Sequence, residues 1–189
     1  NALTGAVTLS TTGSSGNATI DNGTTALSIA ASTIGGNLTV TAGDSITDSG
    51  VITVSGTASF TTDTSDKLIT LNSQNAITGQ VTFDTTSTGG DVTLDNGTTA
   101  ISLGTIASGA IGGDLTLLTD ADQTISNAIT LGGSGAELSI TVDNANSLTV
   151  QAALTTNAGA ITLSADDDVI FTAAGDLTTA NGNITVSAD

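Results

Sequence analysis

Short alternating segments recur along the whole chain. Each consists of an aliphatic residue, then Thr or Ser, then a second aliphatic residue, as in Val7-Thr8-Leu9, Leu38-Thr39-Val40, Ile52-Thr53-Val54, Ile69-Thr70-Leu71, Val92-Thr93-Leu94, Ile129-Thr130-Leu131, Leu148-Thr149-Val150, Ile161-Thr162-Leu163 and Ile184-Thr185-Val186. Alternation with period two is typical of a β-strand with one buried face, so the aliphatic side chains should point inward and the hydroxyl outward. Gly, Asn, Asp and Ser separate the segments and form turns. No segment has helical spacing, so the sequence predicts an all-β fold.

The chain also repeats itself over a longer distance. Residues 1–9 match residues 75–83, an offset of 74 that persists without a gap to Ala26 and Ala100. From Ile34, which matches Ile111, the offset is 77, so we predict a three-residue insertion in a loop. We interpret residues 1–189 as a single β-solenoid block with internal repeats 1–74, 75–151 and a partial third copy, 152–189.

A sandwich or a barrel would also contain short, evenly spaced strands. Three features favour a parallel β-solenoid: the long internal repeat, the absence of Pro with only three aromatic residues, and uniformly aliphatic inward positions. With two alternating segments per coil, the 74-residue repeat gives coils of about 18 residues, and with three segments it gives about 25. The shorter coil is the preferred interpretation.

The runs from Gly36 to Thr47 and from Gly159 to Ala165 combine Gly, Asn or Asp, aliphatic residues and Thr. In this pattern the chain resembles the repeats of filamentous haemagglutinin-type adhesins and related bacterial β-strand-repeat surface proteins. The resemblance implies a right-handed parallel β-helix, secretion to the cell surface or extracellular space, and a role in an adhesin shaft or fibre.

The amino-acid composition restricts the classes of partner that the chain is expected to bind. The formal net charge is −17 and Lys67 is the only basic residue, so the chain should repel nucleic acid and anionic membrane surfaces. No apolar run approaches the ~18 residues of a membrane span, so we expect no membrane insertion. Cysteine is absent, which excludes disulfides and thiolate metal sites. We expect a rod that resists heat and proteases and is weakened at low salt by repulsion between carboxylates.

The inventory of catalytic residues is small. Without His or Cys, no serine or cysteine triad can form, so we predict that the chain is not an enzyme. A polysaccharide-active enzyme that uses carboxylates alone is the alternative. The candidate metal ligands are the clustered carboxylates of Asp166, Asp167, Asp168, Asp120 and Asp122. Calcium takes six to eight oxygen ligands, so these turns are weak calcium candidates, and solvated turns are the other interpretation. No other cofactor is expected.

Two further residue types have an expected place. Asn22 and Asn96 each precede a glycine and are interpreted as turn formers, with a ladder of buried Asn side chains as the alternative. The phenylalanines Phe60, Phe83 and Phe171 are expected to fill the core.

The leading hypothesis is a non-enzymatic structural repeat of an extracellular filament or adhesin shaft. A glycan-binding adhesin module that contacts glycans or other cells is the alternative. The C-terminal residues 184–189 followed by residues 1–7 align without a gap to residues 69–81. We therefore expect the 189 residues to be one period of a longer β-helix whose partners are identical copies, head to tail. The copies would be tandem repeats or stacked subunits.

Overall fold

A computed structural model describes residues 1–86 and 89–189, in which every regular element is a β-strand and no helix occurs. The strands are β1 (Ala18–Asp21), β2 (Leu27–Ile29), β3 (Ser32–Ile34), β4 (Leu38–Ala42), β5 (Ile46–Asp48), β6 (Ile52–Val54), β7 (Ala58–Thr62), β8 (Ile69–Leu71), β9 (Ala76–Ile77), β10 (Val81–Asp84), β11 (Val92–Asp95), β12 (Leu115–Thr119), β13 (Gln123–Ile125), β14 (Ile129–Leu131), β15 (Leu138–Val142), β16 (Leu148–Val150), β17 (Ala153–Thr156), β18 (Ile161–Ala165), β19 (Val169–Phe171), β20 (Asp176–Thr179) and β21 (Ile184–Ala188).

The strands wind into a coil with three faces, and every named strand pair is parallel. Face 1 is one continuous sheet of eight strands, in the order β2-β5-β8-β11-β12-β15-β18-β21. Face 2, the next along the chain, has β3-β6-β9 in the first half and β13-β16-β19 in the second. Face 3 has β1-β4-β7-β10 and then β14-β17-β20. This is a β-solenoid of about seven turns, which confirms the predicted fold class.

The preferred short coil of two strands is wrong, because each regular coil has three. Along face 1, Ile69 pairs with Val92, so one coil is 23 residues (92 − 69). The shortest step is 19 residues, from Leu27 to Ile46, and the longest is 25, from Gln123 to Leu148. A three-sided coil encloses a wider interior than two sheets alone, and branched aliphatic side chains fill it from all sides.

The alternating segments pack as predicted within the rod. In segments such as Ile52-Thr53-Val54 and Ile161-Thr162-Leu163, both aliphatic side chains are buried and the central hydroxyl residue is partly exposed. Phe60 and Phe83 lie in register on face 3, with their rings stacked at a centroid distance of 5.9 Å. Phe171 differs, because its coil is the last one and its ring is 42% exposed.

The sequence repeat and the structural coil have different periods. Ala18 begins β1 on face 3, whereas its counterpart Val92 begins β11 on face 1. Three steps along face 3 lead from β1 to β10, and the next strand is β11. A 74-residue repeat therefore advances by three coils and one third of a coil, and equivalent residues of the two copies occupy different faces. The three faces accept the same sequence because each offers the same parallel ladder and apolar interior.

The predicted three-residue insertion lies in an irregular coil, between β11 and β12. Face 1 crosses this coil without a break, whereas face 3 is reduced there to the isolated bridges of Val81 with Leu103 and Ile106 with Ile129, and face 2 has no named strand. Gln123 is buried beside this coil, and its side chain hydrogen-bonds to both backbone polar groups of Ile101. Its side chain accepts from the Ile101 N–H at 2.7 Å and donates to the Ile101 carbonyl at 2.8 Å.

Asn22 and Asn96 are not ordinary turn residues, because both are completely buried. The Asn96 amide group donates to the carbonyls of Ile77, Thr99 and Ala100, and its oxygen accepts from the Ile77 N–H at 2.9 Å. Asn22 binds Leu3, Thr25 and Ala26 in the same way. Each side chain thus satisfies buried backbone groups at a corner where the strand pairing ends, as the alternative interpretation expected, but the two side chains lie at different corners and do not stack as a ladder.

Candidate functional site

The five predicted calcium ligands lie in turns between face 1 and face 2. Ser147 links two of these turns, because its N–H donates to Asp122 Oδ1 and its hydroxyl donates to Asp167 Oδ2, each at 2.9 Å. Asp166 accepts from the Asn144 N–H, also at 2.9 Å. The backbone carbonyl of Asp120 accepts a hydrogen bond from the side-chain amide of Asn146, and the backbone carbonyl of Asp168 accepts one from the Leu148 N–H.

Three of these carboxylates therefore already accept hydrogen bonds from neighbouring turns. Within residues 1–86 and 89–189, no group of three or more acidic side chains is close enough to hold a metal ion. Calcium binding at these turns stays a prediction.

Asp143 lies in the same column of turns. Partial desolvation raises the pKa of its carboxyl group, and the carboxylates of Asp166, Asp120 and Asp95 raise it further. The pKa of Asp143 is higher in the folded protein than in the unfolded chain. Its favourable contribution to the free energy of unfolding is therefore complete at pH values below the unfolded-state pKa. It is lost as the pH rises through the folded pKa. At neutral pH the ionised side chain therefore opposes folding.

Removing this charge should stabilise the protein at low salt. We expect Asp143→Asn to raise the melting temperature at pH 7 and ~10 mM salt by about 2 °C, as a surface charge of this kind typically would. The gain should disappear at ~1 M salt, where charges are screened beyond about 3 Å. Thermal melts at both salt concentrations would measure this. Asp63→Asn, in a different exposed turn, is the matched control, and an equal gain there would contradict the assignment to this column.

The single lysine is engaged in an ion pair. Lys67 Nζ lies 3.1 Å from Asp44 Oδ1, and both side chains are about one third exposed or more. The pKa of Asp44 is lowered by the N–H of Ser45 and then by Lys67. The only basic side chain is thus paired on the surface, and its pair contributes little to stability at ordinary salt.

A shallow groove lies along the corner where the chain enters face 1, beside Asp91, Asp114 and several glycines. The carboxylate of Asp91 accepts from the Asp114 N–H at 2.9 Å, and that of Asp114 accepts from the Glu137 N–H at 2.8 Å. Both carboxylates therefore tie one coil to the next. A carboxylate-only mechanism would have to use groups that already hold the backbone in this groove.

Columns of hydroxyl groups run along the outside of the rod. On face 1 the outward position of all eight strands is Ser or Thr, in register from coil to coil: Ser28, Thr47, Thr70, Thr93, Thr116, Ser139, Thr162 and Thr185. On face 3 a second groove is lined by Thr130, Thr155 and Thr178, which are also in register. Such columns offer hydrogen-bonding groups every ~4.8 Å along the rod.

The first and last coils expose aliphatic side chains whose counterparts in the middle of the rod are buried. Ile184 and Val186 in β21 repeat the inward positions of Ile161 and Leu163, which are completely buried, but are 46% and 45% exposed. At the other end Leu3 is 40% exposed. Among the described residues, β21 is paired only with β18 and β1 only with β4. Within the described residues, the first and last coils are therefore each stacked on one side only.

The fold and these surfaces place the chain among three-sided β-solenoid repeat proteins. Residues 15–84 match a family described as "Repeats of unknown function (DUF5649)". The match ends at the last residue of β10 and spans about the length of one internal repeat. No curated protein and no solved structure matches the chain. The family supports a repeat domain and gives no specific support to the filamentous haemagglutinin resemblance.

No helix long and apolar enough to cross a membrane occurs among the residues that the structure describes.

Proposed function

We propose that the chain is a non-enzymatic structural repeat of an extracellular filament or adhesin shaft, whose copies continue end to end. The observation that carries this proposal is the parallel ladder of eight strands along face 1, built from a sequence that repeats itself after 74 residues. A continuous parallel ladder along face 1 suits a rod that has to transmit tension or hold a tip away from a surface. The resemblance of the Gly36–Thr47 run to haemagglutinin-type repeats supports the extracellular location.

Immunogold labelling of cells that produce the protein tests the location and the role together. We expect gold particles on fibres or on the outer cell surface of unpermeabilised cells. A deletion strain is the control for the specificity of the antibody. Labelling confined to the interior of permeabilised cells would overturn the proposal.

A glycan-binding module is the second candidate, and the hydroxyl groove on face 3 favours it. Thr130, Thr155 and Thr178 form an open row that could hydrogen-bond a chain of sugars along the rod. A glycan array would show selective binding of one glycan family, reduced in Thr155→Val but not in Thr70→Val on face 1. No selective binding would remove this candidate.

We also propose that the chain has no catalytic role and needs no cofactor. The absence of His and Cys from the sequence and the structural use of Asp91 and Asp114 support this. Release of reducing or unsaturated sugar ends from polysaccharides by the purified chain, abolished by Asp114→Asn, would establish the carboxylate-only enzyme instead.

A further inference from the structure

The irregular coil, residues 96–114 between β11 and β12, is bonded differently on its three sides. On face 1, β11 pairs directly with β12 over four residues, from Val92 with Leu115 to Asp95 with Leu118. On faces 2 and 3 the irregular coil has no named strand. Of the three lines of strands along the rod, only the line on face 1 is therefore complete at this height.

On face 2 the irregular coil is held by two side-chain amides. The Asn96 side chain accepts from the Ile77 N–H of the preceding coil at 2.9 Å and donates to the Ile77 carbonyl at 3.0 Å. The Gln123 side chain, in the following coil, makes the same pair of bonds to Ile101 at 2.7 and 2.8 Å. Among the described residues, no backbone hydrogen bond joins β9 or β13 to the irregular coil. Its two edges on this face are thus tied through side chains with rotatable bonds.

On face 3 the irregular coil makes single-residue contacts. Leu103 bridges to Val81 in the preceding coil, and Ile106 bridges to Ile129 in the following one. Each bridge has two backbone hydrogen bonds of 2.8 to 3.0 Å. Among the described residues, none in the irregular coil is bridged to both neighbouring coils on face 3, whereas β11 on face 1 pairs with both.

The inserted residues explain the loss of strands. In the first copy of the repeat, the counterpart of this segment forms β2 and β3, which are separated by Ala30 and Ala31. In the second copy, residues 104–108 (Gly-Thr-Ile-Ala-Ser) replace these two alanines. Gly109 then stands where β3 begins with Ser32 in the first copy, and its φ of +91° is incompatible with a strand.

The interior of the irregular coil is nevertheless packed. Ile101, Leu103 and Ile106 are only 2–5% exposed and belong to the continuous core of the rod. The irregular coil is therefore a layer of the rod and not a surface loop. What distinguishes it from its neighbours is the weaker bonding of its edges on two of the three faces.

We propose that the irregular coil is a hinge at which the rod bends, with the β11–β12 ladder as its axis and face 2 as the side that opens. Opening face 2 requires the rotation of two side chains, whereas opening face 1 requires the separation of a four-residue ladder. A lateral force on the rod is then taken up at a fixed place and in a fixed direction. The hinge belongs to one chain, so it holds whether or not copies continue end to end.

Two matched pairs of spin labels test the direction of bending, since the chain has no cysteine of its own. Thr53→Cys with Thr149→Cys spans the irregular coil on face 2. Thr47→Cys with Ser139→Cys spans it on face 1. All four residues occupy outward positions of strands, and each pair covers four strand steps, about 19 Å.

Double electron–electron resonance on the purified, labelled protein measures the two distance distributions. We expect one narrow distribution for the face 1 pair. The face 2 pair should show a second population that is longer by up to about 5 Å, one strand spacing, because release of both amides lets the two edges part. Equal distributions for the two pairs, or a wider one on face 1, would overturn the hinge.

A Gln123→Leu variant locates the motion at this coil. It removes the amide that holds Ile101, so the longer population of the face 2 pair should grow about tenfold relative to the shorter one, as expected for two lost hydrogen bonds. Gln151→Leu, at an exposed position directly after β16, is the matched control and should leave the distribution unchanged. No change in Gln123→Leu, or an equal change in Gln151→Leu, would contradict the proposal.

A second variant works in the opposite sense and keeps the test decisive if Gln123→Leu does not fold. Replacing residues 104–108 with Ala-Ala, as in the first copy, should restore strands on faces 2 and 3 and abolish the longer population of the face 2 pair. Persistence of that population in a folded variant would show that the insertion does not create a hinge.

Discussion

Replacing Asn96 with Asp is expected to lower the free energy of unfolding at neutral pH by about 3–5 kcal/mol, the usual cost of leaving a buried charge without a partner. The side chain is completely buried and its amide group donates to three carbonyls, those of Ile77, Thr99 and Ala100. A carboxylate cannot donate and would face those oxygens. The corner that joins two coils would lose its support.

The pH dependence of Asn96→Asp distinguishes this cause from a general loss of packing. Burial raises the pKa of the introduced carboxyl group above its unfolded value. The variant should therefore recover stability relative to the parent as the pH falls below that raised pKa, and lose it as the pH rises through it. Chemical denaturation at several pH values measures this. Asn157→Asp, at an exposed turn, is the matched control; equal losses in both variants would contradict the argument.

Substituting Gly159 with Ala should have the second large effect, a loss of about 3 kcal/mol or a fall of about 10 °C in melting temperature. A Cβ at this position would overlap the carbonyl group of Ala136 in the coil below and approach the Glu137 nitrogen to 2.8 Å. Both obstacles are backbone, so they can move aside only if the ladder between β15 and β18 opens.

Gly5→Ala provides the control for backbone entropy. A Cβ on Gly5 would meet nothing within 4 Å, so this variant should melt at the same temperature as the parent or slightly above it. Thermal melts followed by circular dichroism compare the two. If Gly159→Ala melted like Gly5→Ala, the close stacking of glycines at this corner would not be a constraint on the rod.

The pattern of the sequence was sufficient for the fold class. Alternating segments and the 74-residue offset predict parallel strands with buried flanking residues, because period-two alternation and internal repetition are local properties of the chain. The coil length was not accessible in this way. Irregular segments such as Ser32-Thr33-Ile34 and Gln123-Thr124-Ile125 lack the aliphatic first residue, so the third strand of the coil was missed and two strands per coil were preferred.

The contacts of the polar side chains were harder to predict, because they depend on how one coil stacks on the next. Asn22 and Asn96 have the sequence of ordinary Asn-Gly turns, and only the coil beneath them makes their side chains buried donors. The carboxylates of Asp122 and Asp167 are 45 residues apart, and the coil register places Ser147 between them. The 74-residue offset of the sequence repeat is not a multiple of the 23-residue coil. This mismatch was the available signal that equivalent residues of the two copies lie on different faces.

Electron microscopy of the protein in the form in which cells produce it tests the central claim most directly. One chain has eight strands along face 1, which at ~4.8 Å per step makes a rod roughly 35 Å long. The account predicts unbranched rods of constant width, many times longer than this, with a repeat near 4.8 Å along the axis. Discrete particles no longer than a single chain, with both ends covered, would contradict it.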